Sequence, residues 1–258
     1  MPAGRRVNRP VALVTGAAQG VGRAAAIRLA SDGYTVAVND IADDDDDRLR
    51  ILAEQIGGIA VPADISVPAA VVEMVRVVSD HVGPVRTLVA NAAAMSMSPF
   101  LESDPGEWWR QIDVNLSGHF RLIQAVIPLM RARRDGRIII ISSGWGVVGH
   151  PNATAYAASK AGLITLTKGL GREVGPQGIL TNAIAPSYID TDQLRVDADD
   201  LGIELDDMRQ RYRALVPNHR LASPEDIAGA VAFLAGPGAS AMLGQILQPN
   251  GGVTRTRA

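Results

Sequence analysis

Tyr156 and Lys160 stand four residues apart at the start of a helical pattern, so their side chains share one face and can meet. A free tyrosine titrates near ~10, and an ammonium beside it stabilises the phenolate, which brings the hydroxyl toward general acid and base work. The same pair also occurs on ordinary helix surfaces, so its neighbours decide what it does. Ser142 and Ser143 close an aliphatic run, Ile138 to Ile141, and a glycine-rich stretch from Gly144 to Gly149 leads from them to Tyr156. A hydroxyl at such a strand end can donate to a carbonyl or orient an alcohol. His150 follows, which suggests a hydrolase, but no Gly-x-Ser-x-Gly elbow surrounds either serine.

A second constellation lies near the N-terminus. Thr15-Gly16-Ala17-Ala18-Gln19-Gly20-Val21-Gly22 follows a short apolar run and opens a helical pattern. Gly16 permits a tight turn, Gly20 lets backbone approach a pyrophosphate, and Gly22 allows close helix packing, while Gln19 and Val21 stand at the helix N-terminus that faces the phosphates. Asp40 closes the next apolar run, where a carboxylate accepts from ribose hydroxyls and repels a 2′-phosphate. With Gln19 rather than a basic residue in the loop, and aspartates rather than arginines after Asp40, the expected cofactor is NAD in preference to NADP. Asp43 to Asp47 reads as a solvated loop, because consecutive side chains point apart, and no metal site is expected.

The elements that must position these groups alternate along all 258 residues. Short apolar runs at Val11–Val14, Thr35–Val38, Ile59–Val61, Thr87–Ala90, Ile138–Ile141, Leu180–Ile184 and Ile246–Gln248 read as strands buried on both faces. Helical spacing covers Val21–Ser31, Pro68–Val82, Glu107–Arg131, Ala157–Val174 and Pro224–Leu234, the last opening with a Ser223 cap, a proline and two acids. The pattern predicts an α/β, doubly wound (Rossmann) three-layer fold with a parallel sheet of about seven strands, in one domain spanning 1–258. Residues at about 190–217 break the rhythm and read as a substrate lid. A composition 47% hydrophobic and only 4% aromatic suits Ala, Val, Ile and Leu packed between sheet and helices. The net charge of −2 gives no field to gather nucleic acid or an anionic membrane, zero cysteines exclude thiol chemistry, and no apolar run is long enough to span a bilayer. A cytoplasmic enzyme of small molecules is the expectation.

These motifs come in an order that resembles the short-chain dehydrogenase/reductase family over nearly the whole chain: the glycine loop, Asp64 in Ala-Asp-Ile-Ser, Asn91-Ala92, Asn115 in Asp-Val-Asn-Leu-Ser-Gly, Ser143, Tyr156-Ala-Ala-Ser-Lys160, Asn182-Ala-Ile-Ala-Pro186 and Asn250-Gly-Gly252. The resemblance implies an NAD(P)-dependent oxidoreductase in which Tyr156 exchanges the proton, Lys160 binds the nicotinamide ribose and depresses the tyrosine pKa, Ser143 holds the reacting oxygen and Asn115 positions a relay water. It further implies that Asp64 and Ile65 meet the adenine, Asn91 and Ala92 the adenosine ribose side, and Pro186, Ile189 and Thr191 the nicotinamide end, and that the enzyme is a homotetramer or homodimer. Ala90, Ala93 and Ser187 depart from the family pattern; the alanines are expected at the cofactor floor and the Ser187 hydroxyl near the substrate. Met95, Ser96, Trp145, Val148, His150 and Tyr188, with the Asp192 to Leu215 lid, are the candidate substrate walls. Trp108 and Trp109 read as core or subunit contacts, and Arg131, Arg133, Arg134 and Arg137 as cations at a helix end. The expected activity interconverts a secondary alcohol and its ketone with NAD(H). The alternatives are a 3-oxoacyl-carrier-protein reductase using NADPH and a non-catalytic dinucleotide sensor.

Overall fold

The computed structural model describes residues 9–41 and 47–254. Seven parallel strands form one sheet in the order β3-β2-β1-β4-β5-β6-β7. They are β1 Val11–Thr15, β2 Thr35–Asn39, β3 Ile59–Ala60, β4 Val85–Ala90, β5 Gly136–Ile141, β6 Ile179–Ile184 and β7 Ile246–Leu247. All seven expected strands are present, with ends moved by at most two residues.

Alternate residues of each strand feed different cores, because successive side chains point to opposite faces. Leu13, Leu88, Ile138 and Ile140 pack with Val75 and Val78 of α3 (Pro68–His81), Leu122 and Val126 of α5 (His119–Arg133) and Leu163 of α7 (Thr154–Val174). Val14, Val89, Ile139 and Ile141 pack with Ala25 and Leu29 of α1 (Gly20–Ser31), Leu52 of α2 (Arg48–Ile56) and Val231 of α10 (Pro224–Ala235). Three layers follow: helices, sheet, helices. Between β1 and β4 the strand order reverses direction, which opens a crevice at the carboxyl ends of the strands.

Helix α2 was not expected from the spacing. The expected helix Glu107–Arg131 is two helices, α4 (Pro105–Ile112) and α5, joined by a wide π-helical turn at Asp113–Gly118. The segment expected as an irregular lid holds α8 (Gln193–Leu201) and α9 (Leu205–Leu215). At the head of α10 the Ser223 Oγ accepts from the Asp226 N–H at 3.2 Å, the cap the sequence suggested, and Ser223 N–H donates to Asp226 Oδ2 at 2.8 Å in return. Arg137 is not at a helix end: it lies in β5, beside Asp135 and Arg86. The Asp43 to Asp47 run lies outside the described residues except for Asp47, and no metal-binding cluster occurs among the described residues. No helix among them is long and apolar enough to cross a membrane.

Candidate active site

The crevice over β1 and β4 has a volume of about 640 Å³. Its floor is the glycine loop, and that loop fits a dinucleotide for steric and electrostatic reasons. Gly16 has φ +64°, and a Cβ there would stand 2.7 Å from Ala92 Cα. A Cβ on Gly22 would stand 2.0 Å from the Gly16 carbonyl oxygen, so only glycine lets α1 start this close to β1. No side chain caps α1, and Gly20 and Val21 of its first turn line the crevice, leaving N–H groups available to a pyrophosphate.

Asn91 does not project freely into the cleft. Its Nδ2 donates to the Thr15 and Gly16 carbonyls, both at 3.0 Å, while Thr15 Oγ1 accepts from the Asn91 and Ala92 N–H groups. Together they clamp the end of β4 to the glycine loop. The Asp40 carboxylate lines the cleft, with Oδ2 accepting from Ala18 N–H and Oδ1 from Ile41 N–H, each at 2.9 Å. Asp64 and Ile65 line the same end, Asp64 capping its own turn through Ser66 N–H.

At the other end, Ser143, Tyr156 and Lys160 converge over the end of β5. Ser142 Oγ donates to the Lys160 carbonyl at 2.8 Å, fixing strand to helix, and Gly146 packs α6 (Trp145–Val148) onto the Lys160 backbone. Lys160 is buried; its Nζ donates to the Ile141 carbonyl at 2.9 Å and sits 5.4 Å from the centre of the Tyr156 ring. Burial pushes the Lys160 pKa down to about 7. Burial raises the Tyr156 pKa, and the hydrogen bond with the Ser143 side chain works against that rise. In this structure the Lys160 ammonium is engaged by the Ile141 carbonyl, and the Ser143 side chain acts downward on Tyr156.

Asn115 is fully buried within the π-helical turn and does not line the cleft. Its Oδ1 accepts from Ala94 N–H at 2.7 Å, and its Nδ2 donates to the Ala94 carbonyl at 2.8 Å and to Ser159 Oγ at 3.2 Å. The amide is thus occupied, so any water it holds must use its backbone carbonyl.

Gln19, Ala92, Pro186, Ile189, Thr191, Met95, Trp145, Ser187 and Tyr188 line the cleft as expected, whereas Gly22 serves packing alone. Four other expectations are corrected. His150 lies behind the wall, its ring stacked on Trp145 with centroids 3.8 Å apart, because the positive φ of Gly149 turns the chain away after α6. Val148 is exposed, and Ser96 belongs to a smaller recess of about 230 Å³ beside Trp108. Ala90 is in the sheet core, and only Ala93 reaches the cleft. Trp108 joins α4 to α7 through Nε1–H to Thr154 Oγ1, and Trp109 is exposed.

Sequence reasoning missed Arg110, which also lines the cleft, and expected the lid there without singling out Gln193, Asp197 and Tyr212, which line it too. Asp197 and Tyr212 come from different lid helices, so no local spacing announces them. It also missed His119, fully buried on the first turn of α5 with neither ring nitrogen hydrogen-bonded among the described residues. Burial and the Lys160 charge push its pKa down to about 3, with the Ala92 backbone acting the other way.

Comparison with known proteins agrees with this geometry. A family model described as Enoyl-(Acyl carrier protein) reductase matches residues 16–254. The chain is 38% identical over 245 residues to a 3-oxoacyl-[acyl-carrier-protein] reductase, FabG, of Staphylococcus epidermidis, covering 94% of this chain and 98% of that one. It is 39% identical over 249 residues to the short-chain dehydrogenase/reductase eriH of Hericium erinaceus, with 94% and 96% covered. Among solved structures, a single-substitution variant of actinorhodin polyketide ketoreductase with NADPH superposes with a TM-score of 0.91 at 32% identity, over 96% of this chain and 98% of that one.

Proposed function

The chain belongs to the short-chain dehydrogenase/reductase family of oxidoreductases, and from that premise we propose that it interconverts a ketone and its secondary alcohol with Tyr156 as general acid and base. The observation that carries this reading is the convergence of Ser143, Tyr156 and Lys160 on one end of the cleft, where the Ser143 side chain acts against the rise that burial gives the Tyr156 pKa. A bound nicotinamide dinucleotide supplies or accepts the hydride. Ser143 orients the reacting oxygen, Tyr156 gives it a proton in reduction or removes one in oxidation, and Lys160 holds positive charge beneath the ring below about pH 7. Asn115 keeps the wide turn and the Ala94 backbone in place so that its own carbonyl can hold a relay water. Residues 190–217 act as the lid, the chain works as one Rossmann unit, and the enzyme is a cytoplasmic homotetramer or homodimer. Exposed Trp109 and Phe120 give a partner subunit apolar surface to cover, which light scattering would check.

The named relatives weigh toward the reading set second in the sequence analysis, a 3-oxoacyl-carrier-protein reductase-like enzyme using NADPH. A local feature supports it too: Arg48 donates to Gln19 Oε1 at 2.6 Å, which sets a guanidinium at the rim of the glycine loop where a 2′-phosphate could reach it. Against this stands Asp40, a carboxylate inside the cleft that must be desolvated against any 2′-phosphate. We give Asp40 the greater weight and propose NADH as the preferred reductant of a small ketone.

The test is a panel of ketones with NADH and NADPH and of alcohols with the oxidised forms. Tyr156→Phe should lose about 10² to 10⁴ in kcat while still binding dinucleotide; turnover near the wild-type level in that variant would sink the mechanism. An NADPH preference in the parent enzyme that is abolished by Arg48→Ala would establish the second reading instead.

A further inference from the structure

We propose that Asp197 and Tyr212, carried on the two lid helices, make this site selective for an uncharged carbonyl substrate, preferring one with a ring or hydroxyl groups and rejecting one that carries a carboxylate or phosphate. The inference rests on the ketone–alcohol reading above. Tyr212 Oη donates to Asp197 Oδ2 at 2.9 Å, and the Tyr212 ring packs on Tyr188 with centroids 4.6 Å apart. All three line the cleft. Burial and the carboxylate raise the Tyr212 pKa, so the phenol keeps its proton and gives it to the carboxylate as a hydrogen bond. The other carboxylate oxygen accepts from Gln193 Nε2 at 3.0 Å. An ionised carboxylate has about four lone-pair sites, so two remain for a substrate hydroxyl. The α8 wall therefore offers acceptors and negative charge, beside flat aromatic surface suited to a ring.

Charge on the rest of the cleft does not offset this. Asp192 adds a second carboxylate at the same end. The cations that line the cleft among the described residues are Arg110 and Lys160. Arg110 is held by Glu107 through two hydrogen bonds, at 2.7 and 2.8 Å, and Lys160 is tied to the Ile141 carbonyl and loses its charge near neutrality. A substrate anion would therefore meet carboxylates without a dedicated cationic partner. The lid holds this arrangement through Arg209 of α9, which pairs with Asp190 beyond the end of β6. Asp197 and Tyr212 are thus presented by a tethered surface.

A matched pair of probes tests the idea: 4-oxocyclohexanecarboxylate and its methyl ester, which share a skeleton and differ in charge. Steady-state kcat/KM is measured for both with the preferred dinucleotide, and binding of both is followed by tryptophan fluorescence, since Trp145 lines the cleft. The ester should exceed the acid about tenfold or more in kcat/KM and in affinity. Asp197→Asn, which keeps an acceptor for Tyr212, should narrow that ratio several-fold chiefly through KM of the acid. Tyr212→Phe, which keeps the ring contact, should weaken the ester without favouring the acid. Equal or better use of the acid by the parent enzyme, or a ratio unmoved by Asp197→Asn, overturns the proposal. If neither probe is turned over, the ketone–alcohol reading fails, and the binding ratio and its response to Asp197→Asn still decide the selectivity.

Discussion

Replacing His119 with phenylalanine should make the protein more resistant to acid. The imidazole is fully buried, its ring nitrogens lack hydrogen-bond partners among the described residues, and its pKa falls to about 3 from an unfolded value of 6.5. Between those values the unfolded chain binds a proton that the folded chain refuses. Stability from the neutral ring is therefore fully present above pH 6.5 and is lost steadily as pH falls toward 3. Integrating the linkage relation from pH 7 to pH 5 gives a loss of about 2 kcal/mol for this group alone. Phenylalanine has no such proton to take up, while Lys160 remains in both proteins. At pH 7 the substitution also removes buried polar atoms whose one backbone approach, to Ala92, falls short of full hydrogen-bond geometry, so it should be close to neutral there. Urea unfolding of both proteins at pH 7 and pH 5 measures the difference. The parent should lose about 2 kcal/mol more than the variant over that interval. Parallel losses would refute the reasoning by showing that the ring protonates as readily inside as outside. A large loss in the variant at pH 7 would show instead that the imidazole makes a bond that outweighs its burial.

Gly22→Ala should lower dinucleotide affinity more than tenfold and destabilise the fold by about 1–3 kcal/mol, read by titration and thermal unfolding, because its Cβ would stand 2.0 Å from the Gly16 carbonyl. The kcat/KM for carbonyl reduction should fall as pH rises through about 7, where Lys160 sheds its charge, and the fall should vanish in Lys160→Met at a much lower overall rate. Ser223→Ala should cost about 1 kcal/mol in chemical denaturation, with activity retained, since it breaks the reciprocal cap of α10 alone.

The strands, the glycine loop and the Tyr156–Lys160 pair were legible because each is local. An aliphatic run, a glycine at a fixed place and a four-residue interval leave marks within one element. Asp197 meeting Tyr212 fifteen positions later depends on how two helices fold over a cleft, and no periodicity encodes that. His119 was hidden for a related reason, since an imidazole among apolar residues reads like any other helix position until its burial is known. His150 went the other way. Its distance along the chain from Ser143 suits the cleft, yet the positive φ of Gly149 turns it behind Trp145. The break in the long helix after Ile112 was illegible because the apolar pattern runs on through Asp113–Gly118 and the wide turn is stabilised by one buried amide, Asn115, bonding across to Ala94.

That wide turn also sets the phase between its flanking helices. A π-helical turn amounts to roughly one residue more than an α-helix would need, and each α-helical residue advances the side chains by about 100°. Helix α4 turns Trp108 toward Thr154, while α5 turns Leu122, Ile123 and Val126 toward the sheet. Removing one residue from Asp113–Gly118 would restore an unbroken helix and swing one of those faces out of register with its partner. The segment is therefore constrained in length as well as in composition: a single-residue deletion or insertion dislocates the indole contact, the sheet-facing stripe and the Asn115 amide together.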